Sequence, residues 1–182
     1  MKKIIGAMVV ATTLGSAAAS ATTYNEDGDA GHTALTAQSV KNGTTQIKGA
    51  MSITDSVDLF KFKWNGGDFS ASTTNITFDT MLFLFDQDGN TLAFNDDYSG
   101  LASYISRTLS AGDYMLAINA YSYNYGGNLA GFAGAPSVPG RNGTYTINLS
   151  QVDSTDVPEP ATLGLLGLAA IGLGLARRRK QA

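Results

Sequence analysis

Apolar positions recur at every second residue through the middle of the chain, and helical spacing is scarce. That is the mark of half-buried strands. In residues 57–64, Phe60, Phe62 and Trp64 alternate with Lys61 and Lys63. The pattern predicts a strand with its aromatics, Trp64 included, in the core and its lysines in water. Residues 80–85 are almost continuously apolar, which suits a strand buried on both faces. Asp86-Gln87-Asp88-Gly89-Asn90 predicts a turn, with residues 91–94 as the partner strand. Residues 104–109 and 114–120 read as two further strands, with Ser110-Ala111-Gly112-Asp113 turning the chain between them. Residues 143–152 close the series, with Tyr145, Ile147 and Leu149 on one face and Thr144, Thr146 and Asn148 on the other. Residues 44–53 and 68–73 are weaker candidates. Short strands with Gly/Asp turns and no βαβ alternation predict an all-β, antiparallel β-sandwich of jelly-roll type. The stretch 122–142, rich in Gly, Asn and Pro, exceeds ordinary loop length.

Both ends carry a different pattern. Lys2 and Lys3 precede a short apolar stretch at 4–14, and Ala19-Ser20-Ala21 offers an A-x-A site to signal peptidase. Residues 1–21 therefore read as a signal peptide with a short N-terminal helix. At the other end, Pro158-Glu159-Pro160 breaks any regular element. The uncharged run 161–176 follows, then Arg177, Arg178, Arg179 and Lys180. As a helix the run spans about 24 Å, slightly less than a hydrocarbon core of about 30 Å. The basic cluster belongs on the cytoplasmic side, so the expectation is a C-terminal transmembrane helix with everything before it outside.

In order and spacing, residues 157–182 resemble the PEP-CTERM sorting signal of Gram-negative, exopolysaccharide-producing bacteria. The resemblance implies recognition by an exosortase-type membrane protease and cleavage near Pro158-Glu159-Pro160. The chain would pass through the inner membrane as a sorting intermediate. Its destination would be the cell envelope, the cell surface or the extracellular matrix.

Between these ends, residues 22–156 form one expected domain. That body keeps 6 of the 12 basic residues and 14 of the 15 acidic ones, a net of −8. Such a surface repels nucleic acid and suits divalent cations. There is no cysteine, which excludes thiol catalysis and zinc–thiolate sites; the single histidine, His32, sits in a polar N-terminal stretch and is expected to be solvated rather than part of a histidine triad.

The body resembles the bacterial pre-peptidase C-terminal (PPC-like) domain, a β-sandwich found beside secreted peptidases. The resemblance rests on D-S-V-D-L-F-K-F at 55–62, F-D-T-M-L-F-L-F-D-Q-D-G-N-T-L-A-F-N-D-D at 78–97, L-S-A-G-D-Y-M-L-A-I at 109–118 and G-T-Y-T-I-N-L at 143–149. No peptidase is attached, so a tie to proteolysis is not implied. Collagenase C-terminal modules of this kind bind calcium between an acidic N-terminal segment and a D-x-x-D. The resemblance implies the same here for Glu26 and Asp29 with Asp55 and Asp58. Grouped carboxylates suit a hard cation such as Ca²⁺ on chemical grounds as well. Against that stands a plainer arrangement, with Asp55 ending a turn and Asp58 facing solvent.

Asp86-x-Asp88-x-Asn90 lacks the glycine and the final glutamate of an EF-hand, so a hairpin turn is expected. Asn95-Asp96-Asp97 should cap a loop, with a metal role for Asp96 or Asp97 as the alternative. Tyr121, Tyr123 and Tyr125 alternate into the glycine-rich stretch and could stack on an extracellular polysaccharide or pack over a sheet edge. Paired aspartates such as Asp96 and Asp97 leave glycoside hydrolysis open by residue type, but nothing marks a nucleophile. The expected role is non-catalytic, structural or adhesive and calcium-supported; the alternative is a carbohydrate-binding module.

Overall fold

The computed structural model describes residues 22–54, 57–121, 127–132 and 142–150. The signal segment, the sorting tail, Asp55, Tyr123 and Tyr125 lie outside these residues. Eight strands run in chain order: β1 (Thr22–Asn25), β2 (Gln38–Ser39), β3 (Thr44–Met51), β4 (Val57–Thr74), β5 (Thr80–Asp86), β6 (Thr91–Asn95), β7 (Tyr104–Ala120) and β8 (Gly143–Leu149). A short 3₁₀ turn occupies Leu129–Phe132.

Two of the expected breaks are not breaks. Residues 57–64 and 68–73 belong to one strand, β4, and the expected hairpin at 104–120 is the single strand β7. The two pair antiparallel without loss of register, from Val57 opposite Asn119 to Ser72 opposite Tyr104. Gly66 and Gly67, at φ +101° and +102°, sit where β4 bends, and the exposed stretch at 110–113 bends β7 beside them. Phe62 and Phe69 would lie about 23 Å apart along a straight strand, yet their rings stack with centroids at 5.1 Å. Glycine in a strand marks such a corner because it reaches backbone angles closed to other residues.

The bend folds one sheet into two layers. The first half of β4 and the second half of β7 lie with β2, β5 and β6; the other halves lie with β8, β3 and β1. The result is β-sandwich-like, as expected, but not wholly antiparallel. The unforeseen edge strands β1 and β2 pair parallel with β3 and β4.

Alternation decides which side chains meet between the layers. Phe60, Phe62 and Trp64 of β4 pack with Leu82, Leu84, Leu116, Ile118, Tyr145 and Ile147 in the inner core. The opposite face of β4, β5 and β7 is also covered: Leu59, Phe83, Phe85, Met115 and Ala117 pack beneath Ala37 and Leu129. This accounts for the apolar run of β5, whose residues from Thr80 to Phe85 are all buried.

The sandwich has two poles. Thr22 and Ser150, the first and last described residues, lie at the bend pole: Thr22 pairs with Thr44, and Ser150 donates its N–H to the Ser70 carbonyl at 2.9 Å. The far pole holds the starts of β4, β5 and β8 and the ends of β6 and β7. Roughly 26 Å of strand separates the poles, from the rise per residue between Val57 and Asn65.

Candidate functional site

The carboxylates gather at the far pole. Asp58 falls two residues before Phe60, on the core-facing side of β4, and it is fully buried. The solvent-facing arrangement is therefore wrong. Its Oδ2 accepts a 2.7 Å hydrogen bond from the hydroxyl of Tyr145, a core residue of β8. The same hydroxyl lies 3.5 Å from Oε2 of Glu26. Glu26 follows β1 and is held by the backbone: its Oε1 accepts the Ala30 N–H at 3.0 Å and its Oε2 the Ala50 N–H at 2.9 Å. Gly49, opposite Tyr145 in the β3–β8 ladder, leaves the space in which they meet. A Cβ there would lie 2.3 Å from both Glu26 Oε2 and the Tyr145 hydroxyl.

Glu26 and Asp58 are thus brought together on one hydroxyl. Asp29 turns to its own loop, its Oδ1 accepting the Gly31 N–H at 2.5 Å. Asp55, the fourth expected ligand, lies outside the described residues.

A second acidic group, half foreseen, lies at the same pole. Oxygens of Asp79, Asp96 and Asp97 all fall within 4.8 Å of one another. The sequence pointed to Asp96 and Asp97; Asp79 was missed because it lies on another segment, just before β5. A buried hydroxyl lattice sets this geometry. Thr73 and Thr80 share a 2.9 Å hydrogen bond, Thr80 Oγ1 donates to the Leu101 carbonyl at 3.0 Å, and Ser103 N–H donates to Thr73 Oγ1 at 2.8 Å. Ser103 Oγ lies 2.6 Å from the Thr80 carbonyl and 2.7 Å from that of Asp96, so it fixes the backbone that carries Asp96. Partial burial and then the charges of Asp97 and Asp79 hold the Asp96 carboxyl above its ordinary pKa. Its Oδ1 is buried without a hydrogen-bond partner. Asn95 caps the loop as expected, accepting the Tyr104 N–H at 2.9 Å.

The 86–90 turn is a hairpin turn, as expected. Asp86 Oδ1 accepts the N–H groups of Asp88 and Asn90 at 3.0 and 2.9 Å, and Oδ2 accepts Asn90 Nδ2 at 3.0 Å. Burial raises the Asp86 pKa, but the bonds from Asn90, Asp88 and Gly89 together outweigh it and set the carboxyl below its ordinary value. Of the expected tyrosine series, Tyr121 is 43% exposed and donates its N–H to the Asp79 carbonyl at 3.0 Å.

This is an all-β body with two groups of carboxylates at its far pole. Residues 156–180 match the PEP-CTERM protein-sorting motif. The motif marks the chain as exported and envelope-directed, and implies processing by an exosortase-type membrane protease. No curated protein matches the sequence.

Among solved structures, the chain is similar to the pre-peptidase C-terminal domain of collagenase from Bacillus anthracis, at 16% identity and a TM-score of 0.46, over 62% of this chain and 93% of that one. It is also similar to the periplasmic g-type lysozyme inhibitor PliG of Aeromonas hydrophila (11%, TM-score 0.40, 62% and 95% covered). The Yersinia pseudotuberculosis-derived mitogen is a third likeness (15%, TM-score 0.39, 63% and 90% covered).

Proposed function

We propose that the body is a non-catalytic structural or adhesive module of the cell envelope or exopolysaccharide matrix, and that calcium stabilises its far pole. Glu26 and Asp58 would hold the ion, with Asp29 and Asp55 completing the set. The observation that carries the calcium reading is the convergence of Glu26 and Asp58 on the Tyr145 hydroxyl. Two carboxylates drawn together beside a dry core repel each other unless a proton or a cation intervenes. An all-oxygen donor set suits a hard cation. Carboxylate oxygens that already accept one hydrogen bond keep a lone pair for a metal. A lone histidine and the absence of cysteine support the non-catalytic reading.

The test is the melting temperature of the full chain with calcium and with chelator. A ligand bound only to the native state adds about 2.7 kcal/mol at 100 times Kd. A chelator-sensitive melt that becomes insensitive in Glu26→Gln and Asp58→Asn is expected; identical melts in calcium and chelator would sink the calcium reading. A second reading, glycan contact through Tyr121, Tyr123 and Tyr125, is supported by the exposure of Tyr121. It predicts affinity for polysaccharide that falls in Tyr121→Ala.

A further inference from the structure

Three depressions adjoin one another across the bend pole, away from the far-pole carboxylates Glu26, Asp58, Asp79, Asp96 and Asp97. The first, about 350 Å³, lies between the 86–90 turn and the 3₁₀ turn. The second, about 320 Å³, shares Gln87 and Asp88 with it. The third, about 240 Å³, shares Asp113 with the second and reaches Lys61 and Lys63. Shared walls make this one track of three sites. The first two reach the lower end of small-molecule pocket size, about 300 Å³, and the third falls just short of it; a connected row of such hollows suits a chain of similar units.

The chemistry of the first hollow narrows the class. Its floor is apolar, with Met115 and Leu129 buried or nearly so. Its wall offers complementary amide groups. Asn90 gives its Nδ2 to Asp86, which leaves its carbonyl oxygen as an acceptor. Asn128 accepts from the Gly131 N–H, which leaves its NH₂ as a donor. A donor and an acceptor over an apolar floor fit a ring with hydroxyls on its rim and C–H groups on its face.

The wall is also built to stay in place. Leu129 donates its N–H to the Gly89 carbonyl at 2.9 Å, and Asn90 and Asn128 form a β-bridge. Gly89 (φ +83°) has no Cβ to strike Leu129, which would lie 3.0 Å away.

We propose that this track binds a neutral polysaccharide chain, one sugar unit to each hollow. The choice of a neutral chain follows from charge: Asp86, Asp88 and Asp113 offset Lys61 and Lys63 along the track, and the body's net of −8 repels a polyanion. The inference rests on the matrix reading above and supplies its adhesive contact, at a place distinct from Tyr121.

The experiment uses the full chain and neutral oligomers of glucose, galactose and mannose, one to four units long, in calorimetric titrations. Affinity for at least one series should rise tenfold or more from one unit to three. It should fall tenfold or more in Gln87→Ala and Asp113→Ala, with melting temperature retained. Failure of every series at 10 mM, affinity independent of length, or affinity untouched by both substitutions overturns the proposal. So does preferential binding of alginate, a polyanion. Loss of binding in Tyr121→Ala alone moves the contact to the other pole and likewise overturns it. The calcium-dependent melt is a separate readout, so either conclusion can fail while the other stands.

Discussion

Gly49→Ala tests the far-pole junction through the sign of its effect. The backbone at Gly49 is open to other residues, since its φ is not positive. Alanine in such a place ordinarily stabilises by about 0.4–1 kcal/mol through the unfolded chain. Here the new methyl would lie 2.3 Å from Glu26 Oε2 and 2.5 Å from Cζ of Tyr145. The glutamate can swing away, but only by releasing the Ala50 N–H, a charge-assisted bond worth roughly 1.5–3 kcal/mol. The tyrosine ring is 2% exposed, and overpacking it costs about 1–3 kcal/mol. The net expectation is a loss of about 2–5 kcal/mol, which lowers the melting temperature by on the order of 10 °C in a domain of this size. Gly112→Ala is the matched control: its φ is also ordinary, and its nearest new contact, the Tyr114 ring, lies at a comfortable 3.6 Å. Thermal melts of both variants beside the parent decide the matter. If Gly49→Ala melts at or above the parent, Glu26 and Tyr145 do not meet as described and the reasoning fails.

Phe69→Ala removes the ring that stacks on Phe62 and meets Trp64 edge-on at 5.4 Å; chemical denaturation should show a loss of about 3–5 kcal/mol. Asp86→Ala should cost about 1–2 kcal/mol by stripping the turn of its acceptor. Because the folded Asp86 pKa lies below the ordinary 3.8, its stabilisation is present above that value and fades as pH falls through the folded pKa. A parent–variant stability gap that persists undiminished at pH 2 would contradict it. Asp96 has the opposite sign. Its raised folded pKa makes the native state gain stability as pH drops through that value, down to about the ordinary 3.8. In Asp96→Asn that gain should disappear from melts recorded between pH 7 and 4.

Strands were legible where a wet face alternates with a buried one, and the short, largely exposed edge strands β1 and β2 lack that contrast. The lysines between Phe60, Phe62 and Trp64 announce the face, and the run at 80–85 announces burial on both. The corners were not legible as corners. Gly66-Gly67 and Ser110-Ala111-Gly112-Asp113 say that direction changes, but a reversal and a bend use the same residues. What decides is the pairing of β4 with β7, between segments about fifty residues apart. The far-pole site was partly written in the same alternation. Asp58 shares its parity with Phe60, Phe62 and Trp64, which puts it on the core face. The role of Tyr145 was hidden because its partners come from the other end of the chain. Asp79 joins Asp96 only after β5 and β6 pair, and local spacing does not record that.

The pairing of β8 has a mechanical consequence. It runs toward the bend pole with β3 on one side and β4 on the other, and Ser150, the last described residue, is held there through its N–H on the Ser70 carbonyl. A pull on Ser150 along β8, resisted at the far pole, slides β8 lengthwise against two neighbours and loads its ladder bonds together. The same pull across a sheet edge would open them one at a time. Lifetime under force follows the unfolding rate, so load applied at Ser150 along β8 meets more resistance than load applied across a sheet edge.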